Sequence, residues 1–371
     1  MALSLARLRE RLGGARPADG VEPVRPPGPL LWVHLGAGVD PLGIELVLND
    51  LRDRHPTLAL LGTGGAGAPP PPPDRSGPVR RFLDRWAPDV ILWTGADAFP
   101  TLWSEALARN IAQAAAEIDT VPHRLALVRD LHRFDAVFPL RADPRLGIPE
   151  MPSGRLSTVP SPPGADPDDV EEMARSLSNR PVWLALDVPD AEIPTVLDAH
   201  AVASRLTHRL LLVLVPERVE TAREALFGGG WLWSARDEVG TPEPSDQVFL
   251  ACDAAERGLW LRIAPITYLG GSLAGPGPAS SPYAPASLGS ATVHGPAVAG
   301  HERAVTRLHR GRAALRIEGA GQLAAAVEEL LNPDRAAQIA HDAWAVTSDG
   351  AEVSARLLET LDDLVDGIAL R

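Results

Sequence analysis

Residues 263–301 read IAPITYLGGSLAGPGPASSPYAPASLGSATVHGPAVAGH. An apolar strand ends in Gly270-Gly271-Ser272, a Gly/Pro/Ser loop and a short helix follow, and a second strand ends in His294-Gly295-Pro296. In α/β domains this order presents backbone N–H groups and a helix N-terminus to a phosphate at the carboxyl edge of the sheet. The segment therefore predicts a nucleotide-sugar site.

The same alternation of apolar runs and helical patterns extends over the whole chain and indicates parallel sheets with helices on both faces. The predicted strands are 30–36, 58–63, 90–95, 134–140, 182–188, 210–216, 248–253, 266–270 and 292–295. A proline-rich segment separates the two sets. We predict domains at 1–160 and 181–350, a linker at 161–180 and a C-terminal helix at 351–371. The expected architecture is GT-B, in which two doubly wound Rossmann-like domains face a central cleft.

The composition excludes several classes of protein. The net charge of -13, from 35 basic and 48 acidic residues, argues against a nucleic-acid binder, which needs clustered Lys and Arg. A single cysteine, Cys252, permits no disulfide within the chain and favours a reducing compartment. No apolar run approaches the length of a membrane span. Residues 1–14 alternate Leu with Arg, which is typical either of a weak interfacial anchor or of an ordinary solvated terminus.

Several segments occur in the order and spacing of a known family. They are PPGPLLWVH at 26–34, FLDRWAPDVILW at 82–93, FDAV at 134–137, WLA at 183–185, the strand ending in Val215-Pro216, Gly258 to Trp260, and the stretch from Gly270 to Pro296. Together they resemble the 3-deoxy-D-manno-octulosonic acid (Kdo) transferases of lipopolysaccharide synthesis. The resemblance implies transfer of Kdo from CMP-Kdo to a lipid A precursor, without a metal ion or cofactor, at the cytoplasmic face of the inner membrane.

The family's first loop, H-A-A-S-V-G-E, ends in a glutamate regarded as the general base. Here the loop runs from His34 to Asp40, so the resemblance makes Asp40 the catalytic residue. An aspartate directly before a proline at a helix start is also a typical N-cap. Both roles stay open at this point.

Other family positions are changed. The loop after Trp93 keeps one of two acidic residues, Asp97, as an acceptor-side group, and has Gly95 at the other place. An Arg-His pair is replaced by Glu217-Arg218, and a Ser/Thr-His loop by Leu186-Asp187-Val188. The Asn and Glu of the nucleotide loop have become Ser281 and Ala284. Most side chains that would hold CMP are therefore absent.

The nucleotide site would then depend mainly on backbone groups. The predicted nucleotide-binding residues are Gly270, Gly271, Ser272, Gly295, Pro296 and Arg218. A glycine at a strand end lets a ligand approach the backbone closely, but a tight turn without a ligand has the same sequence. His294 fits a loop histidine as well as a ligand contact, and Arg218 fits a solvated charge at a helix start. Trp231 and Trp233 share one strand face, which is typical of packing.

Two functions from different classes fit these observations. The first is a Kdo-transferase-like, metal-independent glycosyltransferase that binds CMP-Kdo in the C-terminal domain and a lipid A precursor in the N-terminal domain. The second is a catalytically inactive paralogue, a pseudoenzyme that binds or regulates in envelope synthesis. A transferase for another nucleotide sugar is a further alternative, because the altered loop 274–284 would set donor preference. The expected location is the cytoplasm, with peripheral contact with the inner membrane through residues 1–14.

Overall fold

The computed structural model describes residues 24–65, 68–120, 125–146, 151–177 and 180–369. The predicted membrane contact at residues 1–14 lies outside them. The chain divides into two compact units, one comprising Met1–Thr158 and Gly350–Arg371 and the other Val159–Asp349. The first unit is therefore assembled from both ends of the sequence.

The first unit is a doubly wound parallel sheet in the order β2-β1-β3-β4-β5, five strands within the described ranges. The strands are β1 (Leu30–Leu35), β2 (Ala59–Gly64), β3 (Val90–Thr94), β4 (Ala112–Ile118) and β5 (Ala136–Pro139). The helices are α1 (Pro41–Arg54), α2 (Ser76–Trp86), α3 (Pro100–Ala108) and α4 (Leu125–Asp130), followed by 3-10 turns at Leu131–Arg133 and Pro144–Leu146. β1 and β3 are buried throughout, as strands covered on both faces must be.

The second unit contains a longer parallel sheet in the order β12-β11-β10-β6-β7-β9-β8, seven strands among the described residues. Its strands are β6 (Val182–Val188), β7 (Leu211–Pro216), β8 (Trp233–Ala235), β9 (Val248–Leu250), β10 (Ile266–Leu269), β11 (Ala291–His294) and β12 (Ala314–Arg316). Its helices are α5 (Pro167–Leu177), α6 (Ile193–Leu206), α7 (Val219–Gly228), α8 (Arg236–Val239), α9 (Arg257–Ile263), α10 (Tyr283–Ser287), α11 (Glu302–Arg310), α12 (Leu323–Leu330) and α13 (Pro333–Thr347). Separate apolar clusters lie on the two faces of the sheet.

The last helix, α14 (Ala351–Ala369), belongs to the first unit. Val353, Leu357 and Leu361 are buried in the same apolar cluster as Ile44 and Leu48 of α1. The C-terminal helix is therefore part of the core of the first unit.

The segment 161–180, which was predicted to be a linker, contains α5. Met173 and Leu177 of this helix are buried in the core of the second unit.

The predicted doubly wound parallel α/β fold is confirmed for each unit. The sheet orders also locate a topological switch point in each, where successive connections leave the sheet on opposite sides. It lies between β1 and β3 in the first unit and between β6 and β10 in the second. Ligands of α/β domains bind outside the carboxyl ends of the strands at this point.

His200 of α6 makes the second unit sensitive to acid. Its ring is fully buried, and its Nδ1 accepts a hydrogen bond of 3.1 Å from Trp183 Nε1. Burial lowers the pKa of His200 from the usual 6.5 to about 4. The unfolded chain therefore takes up a proton at a higher pH than the folded chain does. The resulting stability is complete above pH 6.5 and is lost as the pH falls toward about 4, by on the order of 3 kcal/mol.

We expect His200→Gln to reduce this pH dependence. Thermal unfolding of the wild type and the variant, followed between pH 4 and pH 8, measures the difference in slope. His208→Gln, at an exposed position just after α6, is the control and should keep the wild-type slope. Equal slopes for wild type and His200→Gln would refute the assignment.

Candidate functional site

A hydrogen-bonded chain of side chains lies at the switch point of the first unit. His34 is the residue before the last in β1. Its Nε2 is 3.3 Å from Asp97 Oδ2, and its Nδ1 is 3.1 Å from Thr63 Oγ1. The Thr63 hydroxyl oxygen also accepts a bond of 2.9 Å from Trp32 Nε1. Burial lowers the pKa of His34, against the opposing effect of Asp97. A neutral ring that donates from Nε2 to Asp97 accepts the Thr63 hydroxyl proton at Nδ1.

Two glycines bring the loops after β1 and β3 into contact. A Cβ on Gly36 would lie 2.0 Å from the carbonyl oxygen of Thr94, and Gly95 has a φ of 82°. The position where the family resemblance implies a second acidic residue therefore needs glycine for backbone reasons. This close approach lets Asp97 Oδ2 accept a bond of 3.3 Å from Ala37 N in the neighbouring loop.

Asp40 is the N-cap of α1. Its Oδ1 accepts a hydrogen bond of 3.1 Å from Leu42 N, and Pro41 occupies the first helical position. Asp40 therefore has the helix-capping role that the sequence left open beside the catalytic one. The cap engages one carboxylate oxygen, and the role of Asp40 as catalytic base stays a prediction.

Glu117 is a functional candidate that the sequence analysis missed. It lies at a register shift between β4 and β5, with a φ of 51°, and only 4% of it is exposed. Its Oε1 accepts a bond of 2.7 Å from Leu156 N, and Arg155 lies 3.5 Å from Oε2. Non-glycine residues in this backbone region are uncommon and concentrate at functional sites. The feature of the sequence that could have indicated this site is an acidic residue within the apolar run AQAAAEI.

Burial raises the pKa of Glu117 above the usual 4.5; Asp40 raises it further, while Leu156 N and Arg155 oppose the shift. The folded chain therefore holds this proton more tightly than the unfolded chain, and stability falls as the pH rises above 4.5. We expect Glu117→Gln to be more stable than the wild type at pH 8 and equal to it near pH 4. Denaturant unfolding at both pH values measures this. A variant that is less stable than the wild type at pH 8 would contradict it.

An internal carboxylate occupies the predicted phosphate loop of the second unit. Glu192, 1% exposed, accepts bonds of 2.9 Å from Gly271 N, 2.9 Å from Leu273 N and 2.6 Å from Ala274 N. The Tyr268 hydroxyl adds a fourth bond of 2.7 Å. Convergent backbone N–H groups form the anion-binding arrangement expected from the sequence. The anion they hold in this structure is a side chain of the same protein.

The other predicted backbone donors also bond internally. Gly270 N donates to Leu186 O at 2.8 Å, and Gly295 N donates to Ser272 Oγ at 2.8 Å. Ser272 is fully buried, and its hydroxyl donates to Leu269 O at 2.5 Å. Pro296 has no N–H group, and α11 begins only at Glu302. The structure brings these residues together, and their role in nucleotide binding stays a prediction.

Close backbone packing explains why glycine occupies these positions. A Cβ on Gly270 would lie 2.5 Å from Asp187 O, and one on Gly295 would lie 2.2 Å from Ser272 O. Gly271 has a φ of 77°. The tight-turn interpretation, which the sequence left open beside the ligand interpretation, therefore accounts for all three glycines.

Arg218 and His294 have partners within the second unit. Arg218 forms an ion pair with Asp190, and its side chain is 71% exposed. His294 is buried; its Nδ1 donates to Gly295 O at 2.6 Å, and its Nε2 is 2.8 Å from His309 Nε2. Burial lowers the pKa of both histidines. Trp231 and Trp233 pack against the core of this unit.

Asp187 joins two segments at the second switch point. It lies at a register shift near the end of β6, with a φ of 54° and 9% exposure. Its Oδ1 accepts a bond of 2.6 Å from Arg257 Nε, and its Oδ2 a bond of 2.5 Å from Ser280 Oγ. In the sequence Asp187 is only a departure from the family pattern, and Arg257 is not among the predicted site residues. Both sheets thus hold a buried acidic residue with positive φ near an arginine at the carboxyl edge.

In the described part of the chain, no group of three or more His, Cys, Asp or Glu side chains could hold a metal ion. Within the same ranges, no helix is both long enough and apolar enough to cross a bilayer.

No protein-family model matches the chain. The C-terminal CMP-Kdo binding domain of WaaA from Acinetobacter baumannii is 24% identical, over 48% of this chain and 97% of that domain, with a TM-score of 0.45. Alr3699/HepE from Anabaena, solved with UDP and glucose, is 14% identical over 91% of this chain and all of that one, with a TM-score of 0.39. UDP-GlcNAc 2-epimerase from Neisseria meningitidis is 12% identical over 90% and 99% of the two chains, also with a TM-score of 0.39.

Proposed function

We propose that the protein is a metal-independent glycosyltransferase of the Kdo-transferase type. The supporting observation is that polar side chains concentrate at the switch point of each parallel sheet, where α/β domains bind ligands. The first unit places His34 and Asp97 there, and the second places Asp187 and Arg257. The family resemblance suggests CMP-Kdo as donor and a lipid A precursor as acceptor.

In this proposal each unit has a separate task. The first unit binds the acceptor, and Asp40 removes the proton of the attacking hydroxyl. Asp97, which is bonded to the buried His34, provides an exposed polar group on the acceptor side. The second unit binds the nucleotide sugar and stabilises the negative charge of the departing CMP. Contact of residues 1–14 with the cytoplasmic face of the inner membrane would bring the enzyme to its lipid acceptor.

A second candidate function is a non-catalytic paralogue that binds or regulates in envelope synthesis. The observation that favours it is the internal use of predicted ligand donors: Glu192 occupies the Gly271 loop, Asp190 pairs with Arg218, and Ser272 accepts from Gly295 N. A nucleotide that used these groups would first have to displace a buried carboxylate, which is unfavourable.

Two assays distinguish the functions. Transfer of labelled sugar from CMP-Kdo to a lipid A precursor is expected with the purified protein, and calorimetry should detect CMP binding. A parallel series of UDP, GDP and TDP sugars identifies another donor if CMP-Kdo is not used. Absence of transfer together with absence of nucleotide binding would remove the enzyme proposal, whereas binding without transfer would favour the non-catalytic paralogue.

A further inference from the structure

We propose that Arg257 binds the phosphate of the nucleotide donor and that Asp187 holds its guanidinium in place for this purpose. The inference deepens the proposed function and rests on it for the nucleotide. It assigns the phosphate contact to a side chain at the β6 end of the switch point, away from the backbone loop that the sequence indicated. The site consists of Asp187, Arg257 and Ser280.

Asp187 lies at the switch point of the second unit. β6 pairs with β10 on one side and β7 on the other, so its carboxyl end borders the crevice where ligands of doubly wound sheets bind. Asp187 lies at this end in a left-handed backbone conformation, which is unfavourable by on the order of 1 kcal/mol or more for a residue with a Cβ. A strained acidic residue at a switch point indicates a functional constraint.

The Arg257 guanidinium is held in place by two hydrogen bonds. Its Nε donates to Asp187 Oδ1 at 2.6 Å, and its Nη1 donates to Ala254 O at 3.0 Å. Nη2 has no hydrogen-bond partner among the residues that the structure describes, and 33% of the side chain is exposed. An arginine held by bonds at Nε and Nη1 presents its Nη2 N–H groups without further loss of rotamer freedom. Unused guanidinium N–H groups suit phosphate oxygens.

The other predicted phosphate-binding groups already have partners within the protein. The N–H groups of Gly270, Gly271 and Gly295 all bond within the protein. Arg218 is 71% exposed and pairs with Asp190, so binding a phosphate would require ordering a solvated side chain. Arg257 is already ordered at the switch point and keeps unused N–H groups.

Ser280 connects this pair to the loop that was predicted to set donor preference. Its hydroxyl donates to Asp187 Oδ2 at 2.5 Å, which fixes the loop 274–284 beside the guanidinium. Asp187 therefore acts as a positioning residue for both Arg257 and the loop. A purely structural ion pair would have the same contacts, so the test must separate phosphate binding from folding.

Calorimetric titration with CMP, cytidine and inorganic pyrophosphate makes this separation. We expect Arg257→Gln to weaken CMP binding about ten- to a hundredfold, since a charge-assisted hydrogen bond is lost, and to leave cytidine binding unchanged. Arg257→Lys should give an intermediate loss for CMP and serves if the glutamine variant folds poorly. Arg262→Gln, on the same helix and bonded to the carbonyls of Pro163 and Gly258, is the control and should bind CMP as the wild type does.

The titrations test the role of Arg257 separately from the proposed glycosyltransferase function. Equal CMP affinity of wild type and Arg257→Gln, or an equal loss for CMP and cytidine, overturns the inference and leaves the glycosyltransferase proposal intact. Pyrophosphate binding that depends on Arg257, without binding of any nucleotide, supports the anion site and removes the proposed function. Wild-type protein that binds none of the three probes removes both.

Discussion

Glu192→Ala should lower the free energy of unfolding of the second unit by about 4 kcal/mol, the largest effect expected of a single substitution here. The buried carboxylate satisfies the N–H groups of Gly271, Leu273 and Ala274 and the hydroxyl of Tyr268. Its removal leaves these donors together in a site shielded from bulk water. For a unit of this size the melting temperature should fall by roughly 10 °C.

Denaturant and thermal unfolding measure this effect. Glu192→Gln should also be destabilised, because the NH2 group that replaces one carboxylate oxygen faces hydrogen-bond donors and cannot accept from them. Glu224→Ala, at an exposed position in α7, is the matched control and should change stability little. Acetate at high concentration should raise the melting temperature of Glu192→Ala but not of the wild type. A wild-type melting temperature for Glu192→Ala would show that the four bonds contribute nothing net.

Asp40→Asn should lower the rate of sugar transfer by a factor of about a hundred to ten thousand while leaving stability nearly unchanged. Asparagine caps a helix about as well as aspartate but cannot accept the hydroxyl proton. Asp40→Ala should lose both functions, with an additional loss of about 1 kcal/mol in stability. Initial rates with CMP-Kdo and unfolding curves for the same preparations give the two quantities separately.

Asn332→Ala provides the matched control for loss of a helix cap. Asn332 caps α13 by accepting from Asp334 N at 3.0 Å, and its substitution should lower stability without changing the rate of transfer. If Asp40→Asn transferred sugar at the wild-type rate, Asp40 would be a structural cap alone, and the base would have to be sought elsewhere in the first unit. Glu117 would then be the first residue to examine.

The strands of both units were largely predictable because β1, β3, β6 and β7 are continuous apolar runs, as parallel strands covered on both faces require. The nine predicted strands agree with the structure apart from differences of up to three residues at their ends, but β4 and the short strand β12 were not predicted. β4 was missed because alanine favours helices and carries little hydrophobic signal. Ala114, Ala115 and Ala116 are buried between β3 and β5, where small side chains fit the surrounding layers.

The loops of the candidate site were predictable, but their internal partners were not. Gly270, Gly271 and Ser272 mark a turn in any sequence, whereas the carboxylate that fills the turn comes from Glu192, about eighty positions earlier. Arg257 and Asp187 are likewise seventy positions apart and meet only because α9 follows the 3-10 turn at Ala254–Glu256. Contacts between residues so far apart in the chain cannot be inferred from the spacing of residues in the sequence. An acidic residue within a buried strand, as in VWLALDV and AQAAAEI, was the signal available.

The discontinuous first unit has a consequence for biosynthesis. On the ribosome, the apolar side of α1 that includes Ile44 and Leu48 remains without its covering helix until α14, which follows the second unit in the chain, has been translated. The second unit, encoded without interruption, can finish folding earlier, since domains generally fold as units during synthesis. Premature termination shortly before Ala351 would therefore release a nascent chain with one complete domain and one exposed core, a substrate for chaperones and proteases.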